Sequence, residues 1–419
     1  MDILKIKSRH LDTLILTLLS YVVLVDMING FFMMHFNKLP ISQIFKLLVL
    51  LLLLFRLSVI KEFPLLIILF CIFQIGAFLG WAKSGDFGAF RNDLVVATKW
   101  FNVPLSFFFF KNVFQNIKHN PDLLVKVKKV IKRSFTFLSI NMFLGALGFG
   151  MAFYHHGFSN AIGTRGYIYA GNELTILLLA ISFSIALYLY LNREYKRYAL
   201  FFGVTVLYAF LITSKTVLGG VIVVFLIPPV SQIKFRIKKK WLDYLLIIAT
   251  IGIPLICYVF YLGITRFGVL DKIQRSMERN NNEILTVILS NRNNFIAQGW
   301  EVYKNDFGFF GKLFGFGQNY HLKLSGHLAE VDFFSLLFAS GALGLISLVL
   351  LILYWVYSAY FLGRKGNEYA KAVLWFLLFI TIASNLSGHI YGSGIAGYFI
   401  GFSIALMFYK KPIRLENKN

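Results

Sequence analysis

The sequence predicts an all-α fold: a polytopic integral membrane protein with about 12 transmembrane helices and one large external loop. Three observations carry that expectation. Hydrophobic residues fill 58% of the 419 positions and charged residues 15%, against roughly 45–50% and about 25% in soluble domains. Aromatic residues reach 17%, with 46 Phe, which suits a lipid-facing surface. Apolar windows of about 17–25 residues, long enough to cross a bilayer, recur along the whole chain. The net charge of +23 would suit a nucleic-acid binder, but such proteins are not this apolar, so no nucleic-acid partner is expected. A soluble enzyme, a disordered chain and a disulfide-stapled domain are disfavoured too. Cys71 and Cys257 both lie inside apolar runs, with no disulfide or metal spacing.

Taken in order, the start MDILKIKSRH leads into an apolar stretch with no small-residue cleavage site. It reads as a retained first span with a basic flank. Spans are expected at roughly 11–34, 41–60, 64–82, 94–110, 134–153, 173–191, 199–213, 216–230, 242–263, 333–358, 372–389 and 395–409. The seventh and eighth are short and joined only by Ser214 and Lys215, so one interrupted hairpin is an alternative. Asp26 in the first span is a candidate partner for an external cation. Lys46 and Arg56, toward opposite ends of the second, are expected to snorkel.

Most of the 42 lysines and arginines fall in alternate connections: the first ten residues, 111–133, 192–197, 232–240, 363–371 and the tail from Lys410. The positive-inside rule makes those cytoplasmic and puts both termini on that side. The connection from Ile264 to Asp332 breaks the pattern. It is external and basic, but longer than the roughly 60 residues over which the rule operates. Three regions follow: 1–263, an N-terminal bundle of about nine spans; 264–332, the large external loop; and 333–419, the C-terminal helices and basic tail. Within the loop, 283–305 reads as an amphipathic helix with Ile284, Val287, Ile288, Phe295 and Trp300 on its apolar face, ended by the Gly/Phe segment 308–319.

Four external groups carry chemistry. Arg91 opens the fourth span and Lys99 follows eight residues on, about 12 Å along a helix. The stretch 154–173 holds His155, His156, Arg165 and Glu173. The tight break holds Thr213, Ser214, Lys215 and Thr216. The long loop holds Arg266, Arg292, His327, Glu330 and Asp332. Arg91 and Arg165 also suit simple interface anchors, His155 and His156 interfacial polar residues, and Lys215 a plain loop position. A cation inside a span, as Lys99 is, costs at least ~2.5–3.5 kcal/mol on insertion scales. A membrane cavity lined by such cations suits phosphate oxygens on a lipid carrier. There is no Gly-rich phosphate loop and no cluster with metal-ligand spacing, so no cofactor is expected.

Several of these residues also carry a family resemblance. Ser290-Asn291-Arg292 with Trp300, then Leu313-Phe314-Gly315-Phe316-Gly317, resemble the "S-x-R … W … G-x-G" stretch of the O-antigen ligase/polymerase-like membrane family. His327-Leu328-Ala329-Glu330-Val331-Asp332-Phe333-Phe334, followed by Gly341-Ala342-Leu343-Gly344, is similar to that family's His segment leading into a span. Thr213-Ser214-Lys215-Thr216 resembles its small-plus-basic break. Many members follow the histidine directly with asparagine, whereas Leu328 follows here, so Glu330 or Asp332 is an alternative base.

The resemblance implies a C-type glycosyltransferase-like enzyme of the bacterial inner membrane. It would polymerise undecaprenyl-pyrophosphate-linked oligosaccharide by metal-independent inverting transfer. His327 and Arg292 would be catalytic. Arg165, Lys215, Arg266, Arg91, Lys99, Glu173, Glu330 and Asp332 would bind substrate. Membrane lipid and a chain-length regulator are the further expected partners. Ligation of the finished glycan to a lipid A core, and transport of a lipid-linked sugar, are the competing expectations. Transporters often show two matching halves, and no internal repeat is visible here.

Overall fold

The computed structural model describes residues 2–36, 39–117, 120–154, 162–233 and 289–410, together with Tyr261, Gln274, Met277, Glu278, Glu283 and Thr286. The expected span at 242–263 (Tyr261 apart), Arg266, His155, His156, Cys257, Ile284, Val287 and Ile288 lie outside the described residues.

The elements are α1 (Asp2–Leu19), α2 (Val22–His35), α3 (Ile41–Leu57), α4 (Phe63–Ser84), α5 (Phe87–Asn116) and α6 (Asp122–Ala146). A hairpin of β1 (Met151–Tyr154) and β2 (Ile162–Gly166) precedes α7 (Gly171–Leu191), α8 (Tyr195–Ile212) and α9 (Lys215–Ser231). After the loop come α10 (Arg292–Asn305), α11 (Phe309–Phe314), α12 (Gln318–Ser325), α13 (Asp332–Arg364), α14 (Glu368–Ser387), α15 (Ala396–Ala405) and a 3₁₀ turn, Leu406–Phe408. Among the described residues α4, α7, α8, α13 and α14 are long and apolar enough to cross a membrane, as in an all-α membrane protein. The first predicted span is not one straight helix. α1 and α2 meet at 43°, where Ser20 Oγ bonds the Thr17 carbonyl and the helical ladder breaks.

The departure from pure helix is the antiparallel β1–β2 hairpin. The fifth apolar window was expected to run helical to 153, but α6 stops at Ala146. Gly148 and Gly150 follow with φ of 87° and 93°, a conformation that ends a helix and that glycine alone adopts without strain. Hydrophobicity gave the length of that window and could not show its change of backbone.

The centre of the bundle is α15, every residue of which is buried, against the second half of α5, buried from Trp100 through Phe110. Gly397 and Gly401 make the close approach. A Cβ at Gly401 would lie 2.0 Å from Ser106 Oγ, and Ser106 Oγ instead donates to the Gly397 carbonyl at 3.1 Å. This is small-residue packing of the kind that membrane helices use, where apolar burial offers no gain over lipid.

The loop helices are seated on this bundle. Tyr303, Phe307, Ala329, Leu337 and Phe338 form a second core between α10 and the start of α13. α13 kinks at Gly341 (φ 66°), and the Leu313–Gly317 segment passes through the kink. A Cβ on Gly341 would meet the Leu313 carbonyl carbon at 2.4 Å, and the Ala339 carbonyl freed by the kink accepts from Gly317 N–H at 3.0 Å. The glycines of this segment are therefore explained by backbone packing. The predicted helix over 283–305 is interrupted at Ser290 and Asn291, which hold φ of 55° and 68°, and α10 starts anew at Arg292. Trp300, expected on its buried face, is 46% exposed, and Gly299 and Tyr303 are buried in its place.

Ion pairs account for the charges inside the spans. Arg56 does not snorkel: it is buried, 2.6 Å from Asp12, and bonds Asn112 at 3.0 Å. Lys46 does not snorkel either. It pairs with Asp26 at 2.8 Å, and Ser42 Oγ donates to the same carboxylate.

Candidate functional site

The α8–α9 break builds one wall of a cavity. Thr213 ends α8 in the left-handed region and Ser214 is extended, so Lys215 opens a new helix. The Ser214 side chain does not cap that helix, and the first-turn amides of any helix lack intrahelical acceptors. The start of α9 is thus an electropositive helix end carrying a lysine.

The opposite wall comes from the loop. The left-handed turn at Ser290 and Asn291 delivers Arg292 at the first position of α10. Its Nε donates to the Glu330 carbonyl at 3.1 Å, and its Nη2 lies 3.3 Å from Glu330 Oε2. Its Nη1 is 3.4 Å from the carbonyls of Leu289 and Leu386. These contacts fix the guanidinium plane between the loop and the end of α14.

Between the walls is a cavity of about 360 Å³, lined by Tyr154, Asn172, Ser214, Lys215, Thr216, Ser290 and Arg292, with Ile176, Phe379, Ile382 and Leu386 among its apolar residues. Lys215 and Arg292 are near enough to repel one another. Burial pushes the Tyr154 hydroxyl up to about 12, against the opposing pull of the Ser214 hydrogen bond and the Arg292 charge. It is therefore a neutral hydrogen-bonding group at pH 7. Two cations, a helix start and several hydroxyls face an apolar wall here, groups whose chemistry suits a bulky anion.

The other predicted site residues lie elsewhere. Glu173 is buried against Lys99 at 3.0 Å and accepts from Ser393 Oγ and the amides of Gly394 and Ile395. Asp332 accepts from the amides of Ile390 and Tyr391 at 3.0 and 2.7 Å. These two carboxylates, expected from the sequence to bind substrate, hold the 388–395 loop that closes the cavity beside Gly388 and Ile390. A carboxylate saturated by backbone donors is an anchor. Arg165 folds back on Tyr169, donating to its carbonyl and lying 5.4 Å over its ring. Arg91 is exposed at the start of α5. His327 is exposed and stacks on Phe295 at 4.6 Å, one helical turn from Arg292; it is not part of the cavity lining. Glu330 reaches the site only through Arg292.

Sequence reasoning passed over Tyr154, Asn172 and the buried Asp93, which accepts from the Asn319 amide at 2.9 Å. The run of polar residues beginning at Tyr154 was the available signal for the first two. It also passed over His321, which is 2% exposed and stacks on Phe338 at 4.3 Å.

No family model, no curated protein and no solved structure matches this chain.

Proposed function

We propose that the chain polymerises undecaprenyl-pyrophosphate-linked oligosaccharide repeat units, of the O-antigen or capsule type, at the external face of a bacterial inner membrane. The observation that carries this reading is the convergence of Lys215, Arg292 and the start of α9 on one cavity with an apolar wall. In this reading about twelve helices span the bilayer, both termini are cytoplasmic, and 264–332 is the external loop.

The chemistry asks little beyond charge. An acceptor hydroxyl on a second lipid-linked unit attacks C1 of the donor sugar. The new C1–O bond forms as the C1–O bond to pyrophosphate breaks, with inversion. The hydroxyl proton passes to a base, and undecaprenyl pyrophosphate leaves with its electron pair. Fixed cations at the departing oxygens are the dominant contribution. Lys215 and Arg292 supply them, and Tyr154 donates a hydrogen bond to the same group. His327, exposed and stacked on Phe295 one turn of α10 from Arg292, is the proposed base for an acceptor arriving from outside.

Purified protein in detergent, given the lipid-linked repeat unit, is expected to release undecaprenyl pyrophosphate and build a ladder of glycan lengths. Arg292→Ala and Lys215→Ala each lower that rate by about 10²–10³, and His327→Gln lowers it by about 10²–10⁴. A ladder unchanged in both cation variants overturns the reading. Full ladders made without this protein that await it only for transfer to a final acceptor identify a ligase.

A further inference from the structure

A second cavity, of about 580 Å³, opens between α6, α7 and α8. It shares no lining residue with the Lys215–Arg292 cavity. Both touch α7, one at Ile176 and the other at Ile185, nine residues or about 14 Å apart along the helix. They thus belong to opposite halves of the bundle.

Its floor is aromatic. Phe114, Phe402 and Tyr409 are buried there and pack ring to ring, at 5.6 Å for Phe114–Phe402 and 5.8 Å for Phe114–Tyr409. Its rim is cationic: Lys128, Lys132 and Arg197 all line it and all are exposed. Lys128 is positioned by Tyr188, 3.3 Å from the hydroxyl and 4.9 Å over the ring. Arg197 pairs with Glu194 at 2.7 Å, an exposed contact of the kind worth little against a competing anion.

We propose that this cleft is a binding site for an anionic phospholipid, with an acyl chain on the aromatic floor and the headgroup phosphate among Lys128, Lys132 and Arg197. An apolar slot alone would take any lipid. The three rim cations select one bearing net negative charge, as basic pockets between membrane helices do. The basic first half of α6 thereby gains a defined ligand in addition to its part in orientation.

The test is thermal unfolding of the full chain in detergent, titrated with dioleoyl phosphatidylglycerol, dioleoyl phosphatidylcholine or glycerol 3-phosphate. Phosphatidylglycerol is expected to stabilise saturably, with a midpoint at least tenfold below that of phosphatidylcholine. Lys128→Gln/Lys132→Gln/Arg197→Gln alters only exposed side chains and is expected to erase the preference, roughly fivefold per charge removed. Thr136→Trp, which fills the cleft, weakens binding of both lipids. Arg292→Ala leaves the titration unchanged, so this proposal and the catalytic reading fail separately. Equal midpoints for the two lipids, a preference that survives the triple substitution, or the same shift from glycerol 3-phosphate would overturn it.

Discussion

Arg56 and Asp12 show how this chain carries charge within apolar helices. Both side chains are under a tenth exposed, and each neutralises the other. Removing one partner leaves an uncompensated buried ion, which costs about 3–5 kcal/mol, whereas replacing both by apolar residues is often neutral. Arg56→Met is therefore expected to unfold at distinctly lower denaturant than Asp12→Leu/Arg56→Met; equal loss in the two would contradict the pairing. His321 makes the second argument at this scale. Burial holds its imidazole below the ordinary value of 6.5, with Nε2 3.3 Å from the Gly299 carbonyl. The unfolded chain thus takes up a proton before the folded one does. The stability this residue contributes is complete above pH 6.5 and is lost as pH falls below it. Between pH 7.5 and 5.0 the melting temperature of His321→Gln should fall less than that of the unsubstituted protein, and identical falls would remove His321 from the account. The cations at 215 and 292 could be picked from the sequence because charge stands out against an apolar background. The pairings of Arg56 with Asp12 and of Lys99 with Glu173 could not, since they join helices far apart in the chain.

Among the helices, the contact that organises the bundle is glycine against serine. Gly401 on α15 leaves room for Ser106 on α5. Gly401→Ala drives a methyl into Ser106 Oγ and the Phe107 amide, and is expected to cost about 1–3 kcal/mol. Gly203 on α8 has nothing within 4 Å of its would-be Cβ, so Gly203→Ala is expected to be neutral or to stabilise by up to about 1 kcal/mol through helix propensity. Denaturant midpoints of the two variants check the contrast; a Gly401→Ala protein as stable as Gly203→Ala would deny the close approach. The positions of α4, α7, α8, α13 and α14 were legible from apolar windows alone, because length and hydrophobicity are local properties. The bend at Ser20, the hairpin after Ala146 and the kink at Gly341 were not. Each is set by where the backbone finds its acceptors, and for Gly341 the deciding neighbour is Gly317, on the segment that passes through the kink. For the same reason 283–305 read as one amphipathic helix although the chain turns at Ser290 and Asn291.

The whole molecule separates its charge into two uses. Among the described residues, basic side chains of α6 and α8 rim the aromatic-floored cleft. In the other half, Lys215 and Arg292 meet across one cavity. That meeting depends on three separate stretches of sequence: the α8–α9 break, the entry to α10, and the 388–395 loop pinned by Glu173 and Asp332. Only the first two were visible as motifs. The two carboxylates were visible as charges, but their hold on this loop was not, because a sequence does not show which backbone amides a carboxylate will meet. The central claim is that Lys215 and Arg292 together hold the pyrophosphate of a lipid carrier. The most direct measurement is the dissociation constant of a polyprenyl pyrophosphate for the purified protein, beside Lys215→Gln and Arg292→Gln. The account predicts a loss of at least about tenfold in each variant, since charge-assisted bonds contribute about 1.5–3 kcal/mol apiece. Affinity unchanged in both variants would contradict it.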